Sequence, residues 1–313
     1  MAADRVRIAA HAKLNLFLRI LARESPGAGG GAVGGAGGGG GGFHQIETAF
    51  ALLELADEIA VTRTAAGVTL TVRGPDLGPP DENLAVRAAR VVLEATSRRF
   101  GVAIDLTKRI PVRAGLGGGS SDAAAVLHAV NALANNAVPR HELLHFGARL
   151  GADVAFFASG VPAAVAWGRG ERLFRIDPPP AAPALLAVPP IAVATPDAYR
   201  WWDESYPEPT ARGPVVLDAA AFTSWGSIGR LGGNDFEIPV FGKHRSVRTL
   251  FEKLAQTHPH WVRLCGSGSA VAAVYANERL RDEAAMMLGE TGQALVRTTT
   301  RAIAAPGPEP HTG

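Results

Sequence analysis

The chain is poor in the features that mark several common protein classes. Among 313 residues there is one cysteine, Cys265, so no disulfide can close within a single chain. A lone cysteine suits a reducing compartment. No run reaches the roughly 20 apolar residues of a membrane-spanning helix. The most apolar stretch, Pro183 to Thr195, is short and is broken by Pro183, Pro189 and Pro190. Met1 to Lys13 lacks the apolar core of a signal peptide. Neither sign of charge dominates: 31 basic against 29 acidic residues leave a net charge of +2, too little for a dedicated nucleic-acid binder. No His/Cys cluster has the spacing of a transition-metal site, and no repeat recurs at a period of roughly 20 to 50 residues. Together these absences lead to the expectation of a soluble cytoplasmic protein with no nucleic acid, membrane or obligate protein partner.

What is present is a hydrophobic fraction of 47%, enough for one large domain or two modest ones. Glycine is distributed unevenly. Gly27 to Gly42 contains only glycine, alanine and one valine, which predicts a flexible insertion. Before it, Val6 to Ile20 alternates like a strand. After it, Ile59 to Val72 alternates around Gly67, which predicts a hairpin. Asn83 to Phe100 has an amphipathic helical pattern with Asp81 or Asn83 as the cap. Val102 to Arg109 reads as a strand, Pro111 to Ser121 as a glycine-rich loop, and Asp122 to Ala134 and Arg140 to Leu150 as helices. Asp177 to Pro190 reads as a proline-rich connection. Helices are expected at Val247–Gln256 and Asn277–Leu288, and strands at Val271–Tyr275 and Ala294–Thr300. The mixture lacks strict βαβ alternation, so the expected fold class is α+β. The expected division is an N-terminal domain over 1–176, a connection over 177–190, a C-terminal domain over 191–303 and a disordered tail over 304–313.

Four segments carry candidate chemistry. In "PVRAGLGGGSSDAAAVL", Pro111 to Leu127, closely spaced glycines let the backbone approach a ligand, and a helix begins at once. Its unsatisfied N–H groups and positive dipole end make a phosphate cradle. No Gly-Lys-Ser/Thr follows, so this is not a Walker A loop, and Ser120 stands where a dinucleotide fingerprint would need its third glycine. In "AKLNLFL", Ala12 to Leu18, Lys13 and Asn15 interrupt an apolar alternation on one strand face. A strand lysine usually ends in solvent; the alternative is a lysine turned into a polar site. In "LGADVAFF", Leu150 to Phe157, Asp153 sits in an apolar run. It is either a helix cap or a carboxylate needing a partner such as Lys13. "CGSGSAVAAVY", Cys265 to Tyr275, is a weaker glycine turn ahead of a strand.

The first, second and last of these motifs, taken in chain order, resemble the three motifs of the GHMP kinases. The likeness runs from about Ile8 to Val296 and is interrupted by the glycine tract. It implies an α+β, two-domain GHMP kinase fold, with an N-terminal domain like ribosomal protein S5 and a ferredoxin-like C-terminal domain. It also implies ATP and magnesium as cofactors. Lys13 and Asp153 match the catalytic pair. Pro111, Val112, Arg113, Ala114, Gly115, Leu116, Gly117, Gly118, Gly119, Ser120 and Ser121 match the ATP phosphate loop, with Ser120 or Ser121 as a possible magnesium hydroxyl. Asn83 and Lys108 match positions near the nucleotide.

"FHQIETAF", "ENLAVRAA", "LTKRIP", "LGADVAFF" and "GNDFE" are similar to the branch whose small-molecule substrate is a cytidine diphosphate derivative of methylerythritol. On that side of the site the resemblance implies Asn15, Phe43, His44, Thr195, Tyr199, Gly266, Ser267 and Gly268, with Phe43 and Tyr199 sandwiching a cytosine and His44 reading its edge. The Phe43–His44 segment and "LGADVAFF" argue against members acting on homoserine, mevalonate or sugars; a decarboxylating lyase on this fold also consumes ATP and is separated from a kinase by trapping a phosphorylated product. Retention of both Lys13 and Asp153 argues against a non-catalytic binder. Three positions depart from the pattern. The glycine tract replaces a short charged turn, Phe43 replaces a tyrosine, and Arg113 and Pro189–Pro190 stand where other residues are usual.

Overall fold

The structure, a computed structural model, describes residues 4–23, 44–97, 99–206, 218–289 and 292–310. The tract Gly27–Gly42 and Phe43 lie outside the described residues. The N-terminal half contains β1 (Arg5–Arg23), β2 (His44–Thr64), β3 (Val68–Arg73), α1 (Leu84–Ala95), β4 (Gly101–Thr107), α2 (Gly118–Leu133), α3 (Arg140–Leu150), α4 (Ala152–Ser159), β5 (Ala163–Gly168) and β6 (Arg172–Arg175). The C-terminal half contains β7 (Pro183–Val188), α5 (Thr195–Ser205), α6 (Trp225–Ile228), α7 (Glu237–Lys243), α8 (Arg245–Ala255), β8 (Trp261–Leu264), β9 (Val271–Val274), α9 (Glu278–Leu288) and β10 (Ala294–Thr299), and a short β11 (Glu309–Pro310) follows.

Two long strands organise the molecule. β1 and β2 pair antiparallel along nearly their full lengths, with register shifts on either side of Lys13 and Asn15. Such bulges re-aim side chains and tend to sit beside functional sites. The far edge of β2 is shared: Glu58–Thr64 pairs with β4, and Ile46–Ala51 pairs with β5. β2 and β3 do not form the expected hairpin. β4 inserts between them and pairs parallel with β3. Gly101 makes this possible, because a Cβ there would lie 2.2 Å from the Ala66 carbonyl carbon. The turn at Ala66–Gly67 therefore rests directly on the start of β4.

The C-terminal sheet has the order β10-β7-β9-β8 and is antiparallel throughout. With α8 and α9 as crossovers, this is the β-α-β-β-α-β arrangement expected for that half. The proline-rich connection needs correction, because it contains the central strand β7. Its prolines bracket the strand: Pro183 is the first residue, where a missing N–H is tolerated, and Pro189–Pro190 follow the last. The expected tail is corrected too. Glu309 and Pro310 pair with Arg7 and Val6 and occupy the open edge of β1.

One apolar cluster packs α1, α2 and α3 on the N-terminal sheet, and another fills the C-terminal half. Between them, Ala12, Leu14 and Leu16 of β1 pack with Trp261, Cys265 and Ala272. The two halves thus share a core along the middle of β1. Among the described residues, no helix is long and apolar enough to cross a membrane.

Candidate active site

Because one face of β1 is consumed by the shared core, its other face points at the start of α2 and at α4. Lys13 projects there and is 3% exposed. Its backbone N–H donates to Leu116 O at 3.0 Å, and its ammonium donates to Gly115 O at 3.0 Å and to Asn15 Oδ1 at 2.6 Å. Asn15 Nδ2 donates to Thr48 Oγ1, which donates to Phe17 O. That relay orients the Asn15 amide with its oxygen toward the lysine. Asn15 and Thr48 are both buried, so Asn15 is engaged in holding Lys13.

The third ammonium direction faces Asp153, with Nζ to Oδ2 at 3.6 Å. Asp153 lies in the first turn of α4 but does not cap it; Gly151 holds the cap position. Its side chain is 32% exposed, against 3% for Lys13. A lysine fixed by carbonyls thus presents a carboxylate that solvent and a ligand can reach. Such a pair can accept a proton from a hydroxyl and offset the charge that develops.

The glycine loop meets Lys13 from above. Gly115 and Gly117 have φ of +79° and +75°, in the left-handed region. A Cβ on Gly115 would lie 1.8 Å from Cys265 O, and one on Gly117 would press on Phe157 and Lys13. These two glycines allow the close packing of three segments. Gly119 differs: its missing Cβ opens on space. No side chain caps α2, so the N–H groups of Gly118, Gly119 and Ser120 begin the helix without one. That turn is the cradle expected from the sequence, and the helix begins at Gly118, ahead of the expected Asp122. Ala114 and Leu116 point into the core, whereas Val112 and Arg113 are exposed. Pro111 and Ser120 are half-buried, and Ser121 is buried.

Beneath the cradle lies a buried ionic triad. Lys108 Nζ is hydrogen-bonded to Asp57 Oδ2 and, at 2.7 Å, to Asp122 Oδ2. Asp57 Oδ1 also accepts from the backbone N–H groups of Arg109 and Ile110. Lys108, expected beside the nucleotide, lies under the start of α2, 3.3 Å from where a Gly118 Cβ would be, with its ammonium held by two carboxylates. Burial pushes the Asp122 carboxyl up to about 7, against the opposing pull of Lys108. Asn83, also expected near the nucleotide, caps α1 by accepting from Ala85 N at 2.9 Å.

On the opposite rim, His44 stacks on Tyr199 with ring centres 5.0 Å apart and donates from Nε2 to Asp203 Oδ1 at 2.8 Å. His44 covers one face of Tyr199, whereas Phe43, the other half of the expected sandwich, lies outside the described residues. Burial, and secondarily the Asp153 charge, raises the Tyr199 hydroxyl far above its ordinary value. The second glycine turn closes the site. Gly266 and Gly268 have positive φ, a Cβ on Gly266 would lie 3.3 Å from Lys13 Nζ, and Ser267 Oγ lies 3.1 Å from Thr195 Oγ1.

The structure thus brings together Lys13, Asn15, Asp153, the cradle and the second glycine turn. It adds Thr48, Asp57, Asp122, Asp203 and Asn234, to which the sequence assigned no part. Of these, Thr48 lay in "FHQIETAF", Asp122 in "PVRAGLGGGSSDAAAVL" and Asn234 in "GNDFE", whereas Asp57 and Asp203 lay in none of the quoted motifs.

Comparison with known proteins agrees with this arrangement. Residues 83–161 match the GHMP kinases N terminal domain. A 4-diphosphocytidyl-2-C-methyl-D-erythritol kinase from Solibacter usitatus is 36% identical over 283 residues, covering 89% of this chain and 84% of that protein. The enzyme of the same name from Moorella thermoacetica is 34% identical over 302 residues, covering 95% and 99%. A crystal structure of 4-(cytidine 5'-diphospho)-2C-methyl-D-erythritol kinase superposes with a TM-score of 0.75 at 34% identity, covering 94% of this chain and 98% of that one. Identity of this level over nearly whole chains, on one fold, means that the chain belongs to the 4-diphosphocytidyl-2-C-methyl-D-erythritol kinase family of the GHMP kinases.

Proposed function

We propose that the protein transfers the γ-phosphoryl group of ATP to the 2-hydroxyl of 4-diphosphocytidyl-2-C-methyl-D-erythritol, a step in isoprenoid precursor biosynthesis by the non-mevalonate route. The family supplies the substrate and the phosphate donor. The observation that carries the chemistry is the Lys13–Asp153 pair, set 3.6 Å apart between the uncapped start of α2 and the second glycine turn.

In this reading Asp153 accepts the proton of the acceptor hydroxyl as its oxygen forms a bond to phosphorus. Lys13 holds that hydroxyl and the carboxylate together and offsets charge on the moving group. The N–H groups of Gly118, Gly119 and Ser120 hold the phosphates, and ADP departs with the electrons of the broken P–O bond. Positioning and electrostatics do most of the work in such transfers. Tyr199 and His44 are proposed to meet the cytosine, with Asp203 holding the His44 ring.

Magnesium fits this site. The ion keeps several waters and takes few protein ligands beside phosphates. Among the described residues, no group of three or more His, Cys, Asp or Glu is placed as a metal cage. Ser120, half-exposed in the first turn of α2, offers a hydroxyl that buried Ser121 does not. When bound, the ion would be held beside the Ser120 hydroxyl and would supply positive charge to offset that of the phosphates. A cytoplasmic setting without a macromolecular partner belongs to the same proposal and rests on the small, soluble reactants.

The direct test incubates the pure protein with ATP, magnesium and 4-diphosphocytidyl-2-C-methyl-D-erythritol and identifies the product by mass. A gain of one phosphoryl group is expected. Turnover of homoserine or mevalonate, with none of the cytidine compound, would overturn the reading.

A further inference from the structure

The segment Gly233–Glu237 touches neither Lys13 nor Asp153, yet it grips both structures that enclose them. On one side it holds β1. Leu18 N–H donates to Gly233 O at 3.1 Å, Asp235 N–H donates to Leu18 O at 2.9 Å, and Ile20 N–H donates to Asp235 Oδ2 at 2.7 Å. On the other side it holds the second glycine turn. Asn234 Nδ2 donates to Leu264 O at 2.9 Å and to Gly266 O at 2.6 Å, and Leu264 N–H donates to Glu237 Oε1 at 3.0 Å.

Asn234 is 3% exposed, and its oxygen accepts from Phe236 N at 3.0 Å. Both ends of one buried amide are therefore in use. The oxygen has a local task, a turn that starts α7. That task needs no NH2 group, because Ser, Thr or Asp can serve it equally. The two bonds from Nδ2 are additional, and both go to carbonyls flanking Cys265.

The turn so held has little slack. Gly266 lies against Gly115 O and Lys13 Nζ, at 3.0 and 3.3 Å from where its Cβ would be. Gly268 N–H donates to Cys265 O, and Ala270 N–H donates to Ala114 O. A shift of the turn along β1 would therefore change the space left above the ammonium.

We propose that Asn234 is a positioning residue for the acceptor half of the site: its amide fixes the height of the Cys265–Gly268 turn over Lys13 and so sets where the acceptor hydroxyl can lie. This rests on the kinase reading above. The N–H groups at the start of α2 have their own support in Asp57, Lys108 and Asp122 and are not held by this amide, so the acceptor should respond more strongly than the nucleotide to its loss.

The test is Asn234→Ser, with steady-state kinetics in both substrates and a thermal melt. A serine hydroxyl can keep the turn to Phe236 but cannot bridge two carbonyls. The expected result is a rise of about tenfold in KM for the cytidine substrate, with a fall in kcat, since small misplacements at a reacting centre are costly. KM for ATP should stay within about twofold. Asn234→Asp, the same size but without the NH2 donors, should give the same split if serine fails to fold. Equal changes in both KM values, or a lower melting temperature with unchanged kinetics, would show that Asn234 only starts α7. Loss of the fold in both variants would likewise make it structural and end the proposal. If the wild-type protein fails to phosphorylate the cytidine substrate, the kinase reading itself falls and takes this inference with it.

Discussion

The two glycine turns that meet over Lys13 are supported in opposite ways. The first, leading into α2, stands on Asp57, Lys108 and Asp122, three buried charges. The second is held at the two carbonyls flanking Cys265 by a neutral amide, Asn234, with the Glu237 carboxylate accepting from Leu264 N–H at its start. Burying charge is costly, and a buried pair is repaid only when its partners are all present. A neutral amide costs less and fails more gently. The ionic support sits under the turn proposed to carry phosphates, with Lys108 Nζ 3.3 Å from where a Gly118 Cβ would be. The neutral support sits under the turn proposed to meet an uncharged hydroxyl. The difference teaches that similar glycine sequences can demand different foundations, and that a substitution's effect follows the foundation more than the loop.

The sharpest way to break this contrast is Lys108→Met. It leaves two buried carboxylates without their cation, and a loss of about 3–5 kcal/mol in stability is expected by chemical denaturation. A variant that unfolds like the wild type would mean that the triad carries little of the fold.

A second test is pH. The Asp122 carboxyl lies at about 7 in the folded protein, against an ordinary 3.8. The folded state therefore binds more protons between those values, so this group's contribution to stability is full below about pH 4 and is lost as pH rises to about 7. Comparison with Asp122→Asn should isolate that fall in stability with rising pH. Parallel stability curves for the two proteins would contradict it. The Asn234 amide itself does not titrate, although burial raises the neighbouring Glu237 carboxyl.

Between the turns, Asp153→Asn should leave the fold and ATP binding intact while lowering kcat by about 10²-fold, as loss of a positioned base does. Unchanged turnover would reduce Asp153 to a first-turn residue of α4. The smallest effect is expected from Gly119→Val. Its side chain enters open space, so stability should change little, but KM for ATP should rise by roughly tenfold because the cradle narrows. Unaltered ATP kinetics would move the phosphates elsewhere.

Lys13 and Asp153 were legible because each is a charge inside an apolar run, an anomaly visible without knowing its partner. The cradle was legible because closely spaced glycines before a helix have few other physical uses. Asp57 and Asp122 were not. Each looks locally like an ordinary surface acid, and only tertiary pairing across 51 and 14 positions with Lys108 shows otherwise. Long-range pairing also hid the true neighbour of β3, since alternation around Gly67 cannot reveal that β4 will insert. β7 was masked by the prolines at its ends, and the return of Glu309–Pro310 to β1 has no local signal at all. Asn234 lay within a recognised motif, but its role depends on two carbonyls 30 and 32 residues away.

The length of β1 has a mechanical consequence. At about 3.4 Å per residue, its 19 residues form a beam on the order of 60 Å long. It is pinned near its start by β11, at Leu16 O by the Trp261 indole, and at Leu18 and Ile20 by Gly233–Asp235. Lys13 rides mid-span. A beam fastened at both ends has no hinge, so opening one half of the molecule against the other would have to bend the part that carries the lysine. Movement confined to rim side chains and turns would leave the lysine level beneath an entering ligand.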